Sequence, residues 1–193
     1  VQQRSTLRQR LIAILVTGVG ATAAAAISFG VTVYEAAHPR AVPVVPAGEP
    51  IDTGRWNITF QAAHSGPVPP TGVEPSESKK FVLVEFDATN LSAATGFVSP
   101  TLFTVDPPVP NLPAPVFYLA RDKWIASGLN PSMPERMIAV WEWPQALALP
   151  ETLRLTVGSQ IYKRRDNLYG ASSWFDRDPI AVVELPVSRD GAR

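Results

Sequence analysis

The chain contains no cysteine, which excludes disulfides, thiolate metal sites and cysteine nucleophiles at once. Histidine is almost as scarce: only His38 and His64 occur. Neither has a ligand-spaced neighbour, so the three or four converging donors of a zinc site are not in view. A surplus of one charge is also missing, since 17 basic residues balance 17 acidic ones. No global field therefore attracts nucleic acid. The sequence has no P-loop, no G-x-G-x-x-G and no G-x-S-x-G, leaving nucleotide binding and a hydrolase elbow without a basis. Glu85 and Asp87 share one strand face, but two solvent-facing carboxylates on a sheet are commonplace and earn no acid–base role. The expectation is a noncatalytic protein with no cofactor and no bound metal.

One long apolar run stands out against this background. Leu11 to Tyr34 is 24 residues without a charge, entered through Arg4, Arg8 and Arg10. At about 1.5 Å rise per residue such a helix is about 36 Å long, enough to cross a hydrocarbon core of about 30 Å. A secretory signal peptide is the competing reading, with Ala23 to Ala26 as small residues for cleavage. The run continues through Ile27, Phe29, Val31 and Val33, however, and exceeds the usual signal core of about 7–15 residues. The sequence thus predicts a cytoplasmic basic tail over 1–10 and a single-pass transmembrane helix over 11–34. The positive-inside rule places the N-terminus in the cytoplasm. For a bacterial cell this means an inner-membrane protein with its main domain in the periplasm. Gly18, Thr22, Ala26 and Gly30 recur every four residues, so they share a helix face on which another membrane helix packs closely. The expected partners are the lipid bilayer and other integral membrane subunits.

Proline is abundant, with 20 residues, and it separates the rest of the chain. Pro39, Pro43, Pro46 and Pro50 predict an extended linker over 35–50. Beyond it, residues 51–193 read as one β domain. Val82, Val84, Phe86 and Ala88 alternate along the clearest strand, 79–90, with the period of a ribbon buried on one side. Further strands are predicted over 56–62, 101–105, 116–120, 136–143, 153–157 and 180–185. Residues 64–78 read as a long loop carrying His64, and 121–130 as one helical turn at most. Seven short strands with Pro/Gly turns define a mainly β chain, an antiparallel β-sandwich.

A strand of the FVLVEFDATNLS kind closed by Asn90, an apolar strand ending in WEWP with Pro144, and a final LRLTV strand resemble a bacterial group. These are immunoglobulin-like domains of membrane-anchored envelope proteins of unknown function. The resemblance spans about residues 80–157 and implies an immunoglobulin-like fold and an interaction or accessory role. Members with a lipoprotein signal carry a lipobox cysteine, which this chain lacks.

Aromatic residues supply the candidate surfaces. Trp56, Trp141 and Trp143 fall on predicted strands, and the core is the default for Trp56 and Trp141. Trp124 and Trp174 lie beside charged residues in predicted loops, where stacking on a sugar or insertion at a lipid interface is the alternative use. The predicted loop 162–178 combines Lys163, Arg164 and Arg165 with Tyr169, Trp174 and Phe175. That mixture matches a docking surface, where Trp, Tyr and Arg are enriched. The leading expectation is therefore an accessory or scaffold subunit of an inner-membrane complex. A glycan- or lipid-binding periplasmic module using Trp124 and Trp174 is the alternative.

Overall fold

Alternating apolar side chains set the strands. In the computed structural model, which describes residues 25–34, 41–165 and 170–189, Val82, Val84, Phe86 and Ala88 are all fully buried on one face of a strand. Backbone contacts divide the chain into two units, Val1–Ala41 and Val42–Arg193.

The second unit is a β-sandwich. Its strands are β1 (Val44–Val45), β2 (Pro50–Asp52), β3 (Trp56–Gly66), β4 (Lys80–Asn90), β5 (Phe103–Val105), β6 (Val116–Leu119), β7 (Pro134–Trp143), β8 (Thr152–Lys163) and β9 (Ser173–Arg189). One layer runs β5-β8-β9 with β1 added to β9; the other runs β3-β4-β7-β6 with β2 added to β3. The layers join where Ala63–Ser65 of β3 pair in parallel with Val187–Arg189 of β9. Most ladders are antiparallel, but β1 also pairs with β9 in parallel. The seven strands expected from alternation all appear, as β3 to β9.

Between the layers, Phe60 of β3, Phe86 of β4 and Phe117 of β6 close around Phe103 of β5. Centroids lie 5.0 Å from Phe103 for Phe60, 5.1 Å for Phe86 and 5.9 Å for Phe117, all with tilted or edge-on rings. Such edge contacts place the positive rim of one ring against the negative face of the next. Trp56 and Trp141 are buried in the same core, as is Trp143. A smaller apolar set, Phe81, Leu83, Ile138 and Val140, is buried on the outer face of the β4–β7 pair.

Three sequence expectations need correction, while the single turn expected at most over 121–130 agrees with the structure. The stretch read as a linker over 35–50 is partly built into the sandwich, because Val44, Val45 and Pro50 carry ladder pairs. Proline is tolerated there since these are edge strands. The strand expected to end at residue 62 continues to Gly66, so His64 lies in β3 and not in a loop. Residues 121–130 hold a single α-turn, closed by the Lys123 N–H on the Leu119 carbonyl, followed by an isolated bridge from Ile125 to Tyr118. The largest change concerns 162–178, read as a loop. Most of it is strand, because β8 and β9 extend well past the body.

In the first unit, residues 25–34 are helical and exposed. Ala26 and Gly30 fall within this helix, and a side chain added at Gly30 would meet open space. No helix among the described residues is long and apolar enough to cross a membrane. The remainder of the expected span, with Gly18 and Thr22, lies outside the described residues. So do the basic tail 1–10 and residues 35–40.

Because Phe103 alone links three rings of the opposite layer, Phe103→Ala should destabilise the domain by about 3–5 kcal/mol, the range for truncating a buried phenylalanine. A urea denaturation series reads this directly; a loss below about 1 kcal/mol would mean that the ring cluster does not hold the layers together.

Candidate functional site

One end of the sandwich gathers the β2–β3 turn, the loop after β4, the β6–β7 connection and the far ends of β8 and β9. Ladder registers establish this. Trp56 sits opposite Asn90, Thr89 opposite Pro134, and Leu119 opposite Met137. The Gln160 N–H donates to the Thr53 carbonyl at 2.6 Å, fastening β8 to the same end. Gly54 makes that approach possible, since its φ is +89° and a Cβ there would overlap the Gln160 carbonyl oxygen. Large apolar side chains are exposed here in number: Leu91, Phe97, Trp124, Ile125 and Met133 on loops, Ile161 and Tyr162 on β8.

Beyond this anchorage, Ser159–Lys163 pair with Ser173–Arg177 to form a hairpin arm. Register shifts at Val157/Gly158 and Gly158/Ser159 separate the arm from the body ladder, as bulges do where a sheet changes direction. Strand alternation then divides the arm's side chains between two faces. Tyr162 and Trp174 are direct cross-strand partners with ring centroids 5.3 Å apart. Further along that face, the Gln160 amide donates to Asp176 Oδ1 at 2.8 Å and the Thr101 hydroxyl to Asp176 Oδ2 at 3.1 Å. The other face carries Ile161 and Phe175, with Lys163 Nζ 4.7 Å above the Phe175 ring.

The Tyr162–Trp174 face forms one wall of a groove of about 670 Å³. Arg55 and the 91–94 loop form the opposite wall, and Ser172 and Ser173 border the rim. Asn90, fully buried, holds that loop in shape. Its amide donates to the Ala94 and Leu129 carbonyls at 2.8 and 2.9 Å, and its Oδ1 accepts from the Ser92 N–H and hydroxyl at 2.9 and 2.6 Å. Arg55 sits deeper. Its guanidinium carbon lies 5.4 Å from the Trp56 ring and 5.6 Å from the Trp174 ring, a cation–π arrangement on both sides. Gly96 clears the space behind it, because a Cβ there would overlap Arg55 Nη2. Nε is buried and donates to nothing, and burial lowers the Arg55 pKa from its ordinary value.

The structure therefore divides the expected docking set. Trp174 faces the groove, Lys163 and Phe175 face away from it, Arg164 and Arg165 are exposed just past the end of β8, and Tyr169 lies outside the described residues. Trp124 is 75% exposed and does not line the groove, so the two loop tryptophans do not form one stacking platform. The sequence pattern does not bring Arg55, Tyr162 and the 91–94 loop together as a site. The one sequence signal for Arg55 is its place between a turn glycine and a core tryptophan.

Elsewhere, the two carboxylates on the outer face of β4 each have their own partner. Glu85 lies 3.3 Å from His64 Nε2. Asp87 accepts from Arg136 Nε at 2.9 Å and Nη2 at 3.2 Å, and from Gln61 at 2.8 Å. Among the described residues no three His, Asp or Glu side chains converge as a metal set.

Comparison with known proteins adds little beyond this geometry. No family model matches the chain, and no curated protein does. Among solved structures, the chain is similar to an uncharacterised β-sandwich protein from Clostridium difficile 630, at 10% identity and a TM-score of 0.48, over 76% of this chain and 96% of that one.

The Arg136 hydrogen bonds hold the Asp87 carboxyl below its ordinary pKa, with Gln61 helping and partial burial opposing. A carboxylate depressed in the folded state adds stability that is complete above its unfolded value, about 3.9. That stability is lost as pH falls through the lower, folded value. Asp87→Asn should therefore flatten the acid limb of the stability profile below about pH 4, read from urea midpoints between pH 2 and 6. A profile parallel to that of the unchanged chain would contradict this assignment.

Proposed function

We propose that this protein is a noncatalytic, membrane-anchored accessory or scaffold subunit of a bacterial inner-membrane assembly, with an immunoglobulin-like sandwich on the periplasmic side. The sandwich docks onto other subunits through the end that carries the arm. One observation supports this above the others: Leu91, Phe97, Trp124, Ile125, Met133, Ile161 and Tyr162 are all exposed at that end. Exposed apolar clusters of this kind, rimmed by polar groups, mark interaction surfaces. Basic residues border them, with Arg121, Lys123, Lys163, Arg164 and Arg165 all exposed. Aromatic side chains and arginine are what interface cores select. The immunoglobulin-like assignment is supported by two packed layers with a tryptophan, Trp141, buried between them. The anchor rests on the uncharged run 11–34, and its partner face on Gly18, Thr22, Ala26 and Gly30.

A second reading, glycan or lipid binding, has its own support in the Tyr162–Trp174 wall of the groove. It uses Trp174 and not Trp124.

The test is purification of the full chain with its associated subunits in mild detergent. Trp124→Ala combined with Ile125→Ser removes two exposed side chains at little cost to folding. Partner recovery should fall about tenfold or more, as expected for loss of an interface anchor. Gly18→Leu with Gly30→Leu should weaken recovery independently through the helix. Unchanged recovery in both variants rules out the docking role.

A further inference from the structure

Among the described arginines of the sandwich, Arg55 alone is not exposed; Arg164, Arg165, Arg177 and Arg189 lie in solvent. Arg136 is paired with Asp87, Arg154 with Asp106 and Glu184, and Arg121 with Glu135. All of these pairs lie toward solvent. Arg55 is half-buried, and among the described residues its Nε has no hydrogen-bond partner and no neighbouring carboxylate offsets its desolvation. A partly desolvated cation without a counter-ion costs free energy that an arriving anion recovers. Trp56 and Trp174 flank the guanidinium and Gly96 leaves the room it occupies, so neighbouring side chains favour this position.

We infer that the groove binds a carboxylate-bearing sugar, with Arg55 taking the carboxylate and the Trp174–Tyr162 wall taking a face of the sugar ring. Three features select this chemistry. Among the described residues that line the groove Arg55 is the single cation, which matches a monoanion, so a carboxylate fits better than a phosphate. The Trp174 indole, with the Tyr162 ring tilted 52° beside it, offers an apolar aromatic wall, which suits the C–H face of a pyranose and has no use in binding a bare carboxylate. Ser172 at the rim meets the remaining hydroxyls of such a ligand. The groove volume of about 670 Å³ lies within the usual span of small-molecule sites. This inference does not depend on the docking role; it rests on the second reading, ligand binding at the Tyr162–Trp174 wall, and names the ligand class.

Trp174 supplies the readout. Full-length protein in detergent is titrated with D-glucuronate and a galacturonate trisaccharide, and tryptophan emission is followed at constant ionic strength. Parallel titrations use D-glucose, sodium acetate and inorganic phosphate. The uronates should give a saturable change, while glucose and acetate require at least tenfold higher concentration. Arg55→Gln should abolish the uronate response. Gly96→Ala keeps the charge but displaces the guanidinium, and should weaken the response at least fivefold while thermal unfolding stays two-state. The inference is overturned if no uronate saturates, if glucose binds as well as glucuronate, or if acetate or phosphate does. Partner recovery measured on Arg55→Gln separates the two roles: recovery retained with uronate response lost shows that the groove acts apart from docking. Loss of both, in a variant that still unfolds cooperatively, assigns Arg55 to the protein interface and overturns the sugar site.

Discussion

Edge-to-face packing of Phe103 against Phe60, Phe86 and Phe117 is the contact on which the rest of the architecture depends. β5 is only three residues long, so it holds its layer in place through this ring more than through its ladder. The angle and spacing of the two layers follow from that cluster. The groove inherits them, because its walls come from different layers. Arg55 precedes β3 in one layer, and Tyr162 and Trp174 belong to β8 and β9 in the other. A change in how the layers sit on one another would move Trp174 away from the guanidinium it covers.

Polar satisfaction is distributed unevenly over the molecule, and the unevenness has a pattern. Asn90 is fully buried with both ends of its amide committed, which is what a buried polar group requires. Asp87, Glu85 and Asp106 each have a basic partner. Among the described residues the unpaired exceptions are Arg55 Nε, the Trp56 indole N–H, Asn57 Oδ1 and Gln160 Oε1; three are consecutive in sequence, and the Gln160 backbone is bonded to Thr53 just before them. Where a domain settles nearly all of its buried polar groups, a local exception is the place to look for a ligand.

Much of the sandwich was legible from alternation, and the failures have physical causes. β4 announces itself because Val82, Val84, Phe86 and Ala88 line one face against the core. The arm does not, because it has no core beneath it. Tyr162 and Trp174 fall on one face and Ile161 and Phe175 on the other, so the apolar period that marks a half-buried strand is absent and the charges suggest a loop. β1 and β2 were hidden by their prolines, which look like a spacer until an edge position accommodates them. His64 was misplaced because the Gly66–Pro67 pair that ends β3 suggests a loop beginning earlier. The buried tryptophans were read from strand position alone. Arg55 is marked in the sequence only by its place between Gly54 and Trp56, because the rest of its environment is made by Gly96 and Trp174, which are remote in sequence.

The placement of β9 has a consequence for how the molecule comes into being. This last strand pairs with β8, with β3 and with β1, so both ends of the domain's chain meet along it. Contacts of such wide sequence separation make a slow folder, since the loop between them must be closed before they contribute. Until β9 has been synthesised, the edges of β3 and β8 stand open, the situation in which nascent β chains are most prone to stray pairing. The polar, charge-rich composition of the arm then acts as a gatekeeper, keeping the longest of those edges soluble while the closing strand is awaited.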